Sequence, residues 1–213
     1  MSGGHVLPDY LAPGLRAVFV GTAAGHVSAA RGHYYAGPGN EFWRYLADAG
    51  LTPLYLGPER DAEILAFGLG PTDLVKLRAA SRDADLARSD FDVSALVAKV
   101  ERFAPGWVAF HGKTSAVEVA RALGYGRRVA LGAQSWRIGP AQVYVLPSAS
   151  GANRSTANLD GKASRLEWFR EFARQLGGQQ EAAIWAAAAV DPEFVAEVGA
   201  LAAAYDREPD GAA

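Results

Sequence analysis

The chain contains no cysteine among its 213 residues and only four histidines, which are scattered along it. Without thiols it can form no disulfide, no thiolate nucleophile, no iron–sulfur cluster and no sulfur-ligated zinc site. The histidines are His5, His26, His33 and His111. They fit neither the H-E-x-x-H spacing of a zinc-binding helix nor the H-x-E signature of the zinc deaminases, so we expect no metal.

Long apolar runs are also missing, because no uninterrupted stretch of about 18 apolar residues occurs that would predict a membrane-spanning helix. Residues 1–5 lack the basic-then-apolar order of a secretory signal. With 50% hydrophobic and 21% charged residues, the composition is that of one compact globular domain with a sizeable core. We therefore expect a soluble, cytoplasmic protein with no membrane partner.

The net charge of −2 hides a division along the chain. Residues 178–213 hold seven acidic residues and one basic residue, whereas residues 1–177 hold 20 basic and 16 acidic residues. Phosphate contacts depend on local potential rather than on total charge, so clustered arginines in the basic part would allow nucleic-acid binding. Charge permits DNA as a partner without establishing it.

The first quarter of the chain divides into a strand, a long loop and a helix. Residues 16–21 are rich in β-branched and aromatic side chains and end at a glycine, which predicts a buried strand. Residues 22–39 are rich in glycine and show little apolar periodicity, and loops of that length are usually functional. Asn40 is the predicted N-cap of a helix that ends at Gly50.

Helices and strands alternate along the chain that follows. Two short helices are predicted within residues 58–80, opened by Pro58 and Pro71. The other predicted elements are a helix over 92–104, a strand over 107–110, a helix from about Lys113, a strand over 142–146 and a helix over 160–176. This alternation predicts an α/β sandwich with a mostly parallel sheet.

Three loops, 21–39, 111–114 and 147–155, follow predicted strands, and the site of such a sheet forms at the carboxyl ends of its strands. Nucleotide signatures are incomplete there: Gly112-Lys113-Thr114 lacks the leading glycine of a P-loop, and residues 21–25 lack G-x-G-x-x-G. The small residues of 21–25 either admit a ligand to the backbone or form a tight turn. The polar residues after position 147 suit phosphate or base contacts, or form a solvated turn.

Six motifs carry a family resemblance. They are residues 11–21, the Gly25…Ala29…Gly32 loop, Pro38-Gly-Asn40-Glu-Phe42-Trp43 with Ala49-Gly50-Leu51, Pro71-Thr72-Asp73-Leu74-Val75, Gly112-Lys113, and Leu146-Pro147-x-x-Ser150-Gly151-x-Asn153-Arg154. In order and spacing, over about residues 10–176, this set resembles mismatch-specific uracil-DNA glycosylases, relatives of the thymine-DNA glycosylases. We expect a glycosylase-like domain over 1–177 and an acidic, alanine-rich helical extension over 178–213.

The resemblance implies the uracil-DNA glycosylase fold, a three-layer α/β/α sandwich. It also implies a DNA-repair enzyme without a cofactor, a monofunctional N-glycosyl hydrolase that flips uracil from DNA, hydrolyses its bond to deoxyribose and leaves an abasic site. Flipping is required because the anomeric carbon is not accessible to water inside the stacked duplex. The implied partner is uracil-containing DNA, including mismatched or single-stranded DNA, and we expect a monomer.

The resemblance also assigns roles within the predicted pocket. Tyr35 occupies the position of the aromatic that stacks on the flipped base, although a core aromatic is the alternative. Asn40 lines the pocket, caps its helix, or does both. His111 precedes Gly-Lys, where an imidazole could donate to a uracil carbonyl, or is simply satisfied at a strand end. Ser148 is a second candidate donor to the base.

The first motif departs from the family pattern Gly-x-Asn-Pro-Gly. Ala23 stands where the family has the asparagine that positions the attacking water, and Ala24 stands where it has proline. Asp73 is the candidate replacement, because a carboxylate can orient or deprotonate water. The alternative without a catalytic role is that Asp73 is an exposed carboxylate at the start of a helix, stabilised by the helix dipole. If nothing replaces the asparagine, the chain is a protein that binds uracil-containing or abasic DNA with little or no catalysis.

The remaining predicted site residues contact substrate or DNA. Thr22, Ala23 and Gly25 are predicted to approach the substrate through their backbone. The predicted DNA contacts are Ser28, Arg31, Lys113, Ser150, Gly151, Ala152, Asn153 and Arg154. Ala152 is too small to fill the gap left by a flipped base, which relatives fill with leucine or arginine, so Arg154 is the candidate for that task.

Overall fold

The computed structural model describes residues 4–151 and 159–177, which are built around a five-stranded sheet. The strands are β1 (Ala17–Ala23), β2 (Leu69–Val75), β3 (Trp107–His111), β4 (Gly132–Ile138) and β5 (Ala141–Leu146). They lie in the order β2-β1-β3-β5-β4, with β4 antiparallel to β5 and all other neighbours parallel. Nearly every residue of the parallel strands is buried, because helices cover both faces of the sheet.

Helices form the two outer layers. They are α1 (His26–Arg31), α2 (Phe42–Asp48), α3 (Val93–Phe103), α4 (Lys113–Ala122) and α5 (Arg165–Gln175), with 3₁₀ segments at Pro58–Phe67, Asp83–Asp85 and Arg88–Asp90. α2 packs with α5 on one face of the sheet, and α3 packs with α4 on the other. The result is the three-layer α/β/α sandwich with a mostly parallel sheet that the sequence predicted.

The helix α3 illustrates how local sequence sets the boundaries. The Asp92 side chain accepts a hydrogen bond from the Ala95 N–H at 2.9 Å and so caps the first turn. Leu96, Val100 and Phe103 recur at helical spacing and are buried against the sheet layer. The helix ends at Phe103, where Ala104 takes a left-handed conformation, and Pro105 and Gly106 then lead into β3. These features match the predicted helix over 92–104.

Most of the predicted elements are confirmed, with shifted ends. The first strand extends to Ala23, two residues beyond its predicted end, and the last helix begins at Arg165 rather than at 160. The helix predicted from Asn40 begins at Phe42, but Asn40 still contributes to its start, because the Phe42 N–H donates to Asn40 Oδ1 at 3.0 Å. The loop over 22–39 contains the short helix α1, which the sequence did not indicate.

The prediction of a helix that begins at Pro71 is wrong, because Pro71 lies inside β2. β2 is an edge strand, where the missing N–H of a proline is tolerated, and the Pro71 carbonyl accepts a hydrogen bond from the Tyr10 N–H at 3.2 Å. β4 was also missed. Its side chains alternate between buried and exposed, but its apolar residues are too sparse to stand out in the sequence.

The structure does not describe the predicted extension over 178–213 or most of the loop after Gly151. Across the ranges that it does describe, no helix combines the length and apolar character needed to span a membrane. Those same ranges hold no group of three or more histidine, aspartate or glutamate side chains arranged to bind a metal ion.

Candidate active site

A cavity of about 780 Å³ lies at the carboxyl ends of β1, β3 and β5. Parallel strands that end at one edge of a sheet bring their following loops together, which is why the cavity forms there. The cavity is lined by eleven of the predicted site residues: Thr22, Ala23, Gly25, Ser28, Tyr35, Asn40, Asp73, His111, Lys113, Ser148 and Ser150. The three predicted site loops and β2 therefore converge on one cavity.

Asp73 reaches this cavity from β2. It is the register partner of Gly21 in the parallel pair of β1 and β2. Partners in register project to the same face of the sheet, so the Asp73 side chain lies on the face that a side chain on Gly21 would share. Gly21 has no side chain, and the Asp73 carboxylate occupies the space above it. A Cβ built on Gly21 would overlap Asp73 Oδ1 and lie 3.7 Å from the Tyr35 hydroxyl. Asp73 is thus a buried strand residue, and its interpretation as an exposed carboxylate at a helix start is wrong.

Burial raises the pKa of Asp73 from 3.8 to about 7. Lys76 and Lys99 oppose this shift, whereas the negative charge of Asp9 adds to it. A carboxyl group with a pKa near 7 exists in both protonation states at neutral pH, which suits a group that must accept a proton.

A buried ion-pair network lies near Asp73 and ties the N-terminal segment to β2. The Lys76 ammonium contacts Asp9 Oδ1 at 2.6 Å, the Leu7 carbonyl at 2.7 Å and the Tyr34 hydroxyl at 3.0 Å, so all three of its protons have acceptors. Asp9 also pairs with Lys99. Burial alone would raise the pKa of Asp9, but the two lysines outweigh it and lower that pKa from 3.8 to about 2.

Tyr35 has a left-handed backbone, with φ of +55°, which is uncommon for a residue other than glycine. Its two neighbours hold it in this conformation through three hydrogen bonds. The Tyr34 N–H donates to Asp61 Oδ2 at 2.8 Å, and the Trp43 indole donates to the Tyr34 carbonyl at 3.0 Å. The Ala36 N–H donates to the Ser28 hydroxyl at 3.0 Å. Surroundings that fix the backbone this firmly are typical of functional sites.

The Tyr35 side chain lies between aromatic rings and the Asp73 carboxylate. Its ring centroid is 3.8 Å from that of Phe42 and 4.9 Å from that of His111. The hydroxyl oxygen is buried and has no hydrogen-bond partner within the described ranges. Burial, together with the charge of Asp73, raises the pKa of Tyr35 well above its ordinary value, so the phenol stays protonated and can donate.

His111, at the end of β3, is buried and neutral. Burial lowers its pKa from 6.5 to about 3. Its Nε2 accepts a hydrogen bond from the Ala149 N–H at 2.9 Å, so in the neutral ring the proton belongs to Nδ1. The ring also contacts Phe42 edge to face, with centroids 5.2 Å apart. His111 is thus satisfied at a strand end through Nε2 and also lines the cavity with one N–H donor, and its donation to a uracil carbonyl stays a prediction.

Two other predicted contacts are held by local hydrogen bonds. Asn40 lines the cavity and accepts from the Phe42 N–H, but the N-cap of α2 is Glu41, so the predicted N-cap lies one residue too early. The Ser148 hydroxyl accepts from the Ser150 N–H at 3.3 Å, which leaves its own proton available to a ligand. The Glu41 N–H donates to the Ala149 carbonyl at 2.9 Å and thereby joins the loop after β5 to the start of α2.

The predicted DNA contacts fall in different places. Lys113 lines the cavity, but its ammonium pairs with Asp160 at 2.9 Å, and Asp160 also accepts from the Leu131 N–H. Arg31 lies outside the cavity lining and pairs with Glu59. Gly151 packs on the backbone of Pro38 and Gly39, where a Cβ would be too close to their carbonyl oxygens. Ala152, Asn153 and Arg154 lie outside the described residues. All of these contacts stay predictions.

The sequence alone did not identify the residues of the ion-pair network near Asp73 or the residue that binds the backbone beside Tyr35. Asp9 and Lys76 lie 67 positions apart, and neither belongs to a motif, so only the folded chain shows that they pair. Asp61 was missed for the same reason, because its role is to accept from the backbone of Tyr34. A lysine directly after a wholly buried strand was the one available signal, since a buried ammonium needs a counter-charge.

The cavity therefore joins groups with complementary chemistry. Tyr35, with the buried Phe42 ring packed against it, offers an aromatic wall for a planar ligand. His111 offers one neutral N–H donor, and Ser148 offers a hydroxyl. Asp73 offers a carboxylate that titrates near neutral pH. This arrangement can bind a planar heterocycle with carbonyl groups and place a proton acceptor beside it.

Comparison with known proteins gives a family and a structural relative. Residues 8–177 match the family model described as the uracil DNA glycosylase superfamily. The fold is similar to the solution NMR structure of a protein from Methanosarcina acetivorans that is provisionally described as a uracil DNA glycosylase. The TM-score is 0.53 and the sequence identity 25%, and the match covers 80% of this chain and 96% of that one. The matched family segment spans the sheet, the helices and every cavity residue named above, and the chain belongs to the uracil DNA glycosylase superfamily.

Proposed function

We propose that this protein is a monofunctional uracil-DNA glycosylase that removes uracil from DNA and leaves an abasic site. Family membership supports a DNA glycosylase role in repair. The observation that supports turnover is the Asp73 carboxylate above Gly21, because it supplies a proton acceptor in a chain whose Ala23 cannot hold water through its side chain. No cofactor enters this proposal.

The proposed reaction begins with a flipped deoxyuridine in the cavity. The uracil ring stacks against the aromatic wall that contains Tyr35, while His111 Nδ1–H and the Ser148 hydroxyl donate to its carbonyl oxygens. The bond between uracil N1 and the sugar C1′ breaks, and its electron pair leaves with the base. Because that negative charge spreads onto the carbonyl oxygens, donors fixed at those oxygens stabilise the departing base more than the bound substrate.

Water completes the reaction at C1′. Its oxygen forms the new bond to the sugar, and its proton passes to Asp73, which later releases the proton to solvent or to the uracil anion. Around the site, Lys113 and the loop residues Ser150 and Gly151 are proposed to contact the DNA backbone. The proposed partner is uracil-containing DNA, mismatched and single-stranded forms included, bound by a monomer in the cytoplasm.

A second candidate function is binding of uracil-containing or abasic DNA with little or no catalysis. The observation that favours it is Ala23, which lines the cavity and presents only a methyl group where the resemblance places an asparagine. The same cavity would then hold the extruded nucleotide without activating water.

Single-turnover release of uracil separates the two candidates. The substrate is a labelled oligonucleotide with one deoxyuridine, tested as a single strand and opposite guanine or adenine, with alkali to cut abasic sites. The matched control carries thymidine at the same position. We expect cleavage of the uracil substrate, and we expect Asp73→Asn to slow it by about 100-fold or more. Binding of the uracil oligonucleotide without any cleavage would contradict the proposal and support the binding function.

A further inference from the structure

The Tyr35 hydroxyl is the starting point, because it is a buried polar group without a protein partner in the described ranges. Such groups are rare in folded proteins, since an unpaired buried hydroxyl costs free energy. The neighbouring Tyr34 hydroxyl, by contrast, is fully bonded: it donates to the Pro8 carbonyl at 2.8 Å and accepts from Lys76 at 3.0 Å. The Tyr35 hydroxyl is therefore a buried donor that lacks an acceptor among the described residues.

The Asp73 carboxylate lies close to this hydroxyl but does not bond to it. Asp73 Oδ1 fills the place where Gly21 would carry a Cβ, and the Tyr35 hydroxyl lies 3.7 Å from that place. No hydrogen bond joins the two oxygens, and both residues line the same cavity. Two oxygens that face a common space in this way can be bridged by one water, which would accept from the phenol and donate to the carboxylate.

The place for such a water is the cavity beside Ala23, because Asp73 itself fills the space above Gly21. Gly21 and Ala23 alternate with Thr22 along β1, so their positions lie on the same face of the strand. The first lacks a side chain and the second carries only a methyl group, and both line the cavity. A side chain at position 21 would displace Asp73, and a residue larger than alanine at position 23 would take up space in the cavity.

We propose that the Tyr35 hydroxyl and the Asp73 carboxylate together hold the attacking water. The phenol donates to the water oxygen and the carboxylate accepts one of its protons, so that a lone pair of the oxygen is directed at C1′. As the C–O bond forms and the C1′–N1 bond breaks, Asp73 takes the proton and uracil takes the electron pair. Tyr35 is then a catalytic residue through its hydroxyl as well as an aromatic surface for the base. This inference rests on the proposed function.

The test is Tyr35→Phe, which deletes the hydroxyl and keeps the ring. We expect single-turnover uracil release to slow by at least about tenfold, while affinity for the uracil oligonucleotide stays within about twofold, because stacking is retained. A crystal structure of the unmodified protein, at a resolution that shows waters, should place one water within hydrogen-bond distance of both oxygens. The same water should be absent from the Tyr35→Phe structure.

Tyr144→Phe is the matched control, because Tyr144 is a buried tyrosine on β5 whose hydroxyl donates to Glu171 at 3.0 Å. It should lower the thermal midpoint and leave uracil release unchanged, whereas Tyr35→Phe should keep or raise the midpoint. Equal release rates for Tyr35→Phe and the unmodified protein, or a well-resolved site without the bridging water, would overturn the inference. An unmodified protein that shows the water but releases no uracil would overturn the proposed function and leave the water site standing.

Discussion

Asp73 and Gly21 face each other across two parallel strands, and the Asp73 carboxylate occupies the space that any side chain at position 21 would need. The carboxylate of one strand thereby reaches over the backbone of the next, close to the cavity residue Ala23. In the proposed reaction the proton acceptor would come from β2, whereas Ala23, which stands at the position of the family asparagine, is the last residue of β1. The absence of a side chain on Gly21 is what makes the arrangement possible.

Gly21→Ala should therefore damage the site specifically. The added methyl overlaps Asp73 Oδ1, so the carboxylate must move or the strands must separate. We expect a loss of about 1–3 kcal/mol in the free energy of unfolding, as for other overpacked sites. Urea unfolding measures the loss, and single-turnover release should fall more than DNA affinity does.

A double-mutant cycle is the control for this overlap. In an Asp73→Ala background the clashing carboxylate is gone, so adding Gly21→Ala should cost much less stability than it does in the unmodified protein. Equal costs in both backgrounds would show that the methyl group clashes with something other than Asp73.

The rate of uracil release should depend on pH through Asp73. Water activation requires the carboxylate, and burial raises the pKa of this group to about 7, so the rate should rise with pH up to about 7 and then level off. Asp73→Asn should be slower at every pH and should lack this rise. Single-turnover rates between pH 5 and 9 test both statements, and a rate already constant from pH 5 upward would contradict the role of Asp73.

Stability should show the opposite trend over the same range. The folded protein holds the Asp73 proton up to about pH 7, whereas the unfolded chain loses it near 3.8, so the unfolded state binds fewer protons between these values. The free energy of unfolding should then fall as pH rises from about 4 to about 7, by at most about 4 kcal/mol. Urea unfolding of Asp73→Asn provides the comparison, since this variant should lose most of that decline.

The sequence predicted the layers and the cavity but not all of the strands. Apolar periodicity and glycine-terminated runs located β1, β3, β5 and α3, because each is a buried segment with a clear pattern. β2 was misread because Pro71 usually opens a helix, and only the position of β2 at the edge of the sheet makes a proline acceptable there. Edge position depends on strand order, which local sequence does not contain.

The site shows the same limit. Tyr35, His111 and Asp73 were identified through motifs, and they do converge on one cavity. Their pKa values are set first by burial in the folded chain, which the two lysines oppose at Asp73, and their orientation depends on contacts such as those of Ala149 and Ser28. Long-range electrostatics of this kind can be judged only once the fold has brought the charges together.

Lys76→Met tests the buried network. Removing the ammonium leaves Asp9 with only Lys99 as a charged partner and leaves the Leu7 carbonyl without its donor. Because breaking a buried ion pair exposes an uncompensated charge, we expect a loss of about 3 kcal/mol in the free energy of unfolding. The variant should also move the pH midpoint of uracil release upward, since Lys76 lowers the pKa of Asp73.

Asp9→Asn combined with Lys76→Met is the control for that network. The double variant removes both charges of the pair, so it should recover part of the stability that Lys76→Met loses. A double variant less stable than the sum of the two single changes would contradict the assignment of the loss to an unpaired carboxylate.

His111 should stay neutral across the working pH range, with its proton on Nδ1. The Ala149 N–H donates to Nε2, and burial lowers the pKa of the ring to about 3, so neither nitrogen should titrate near 6.5. Nitrogen NMR of the imidazole rings between pH 5 and 8 tests this, with His111→Asn identifying the signals. A neutral N–H donor forms a stronger hydrogen bond to a carbonyl oxygen as negative charge develops on that oxygen. It needs to gain or lose no proton first, so it can stabilise the departing base directly. A His111 ring that titrates with a midpoint near 6.5 would contradict both the burial argument and the proposed role, because a protonated Nε2 could no longer accept from Ala149.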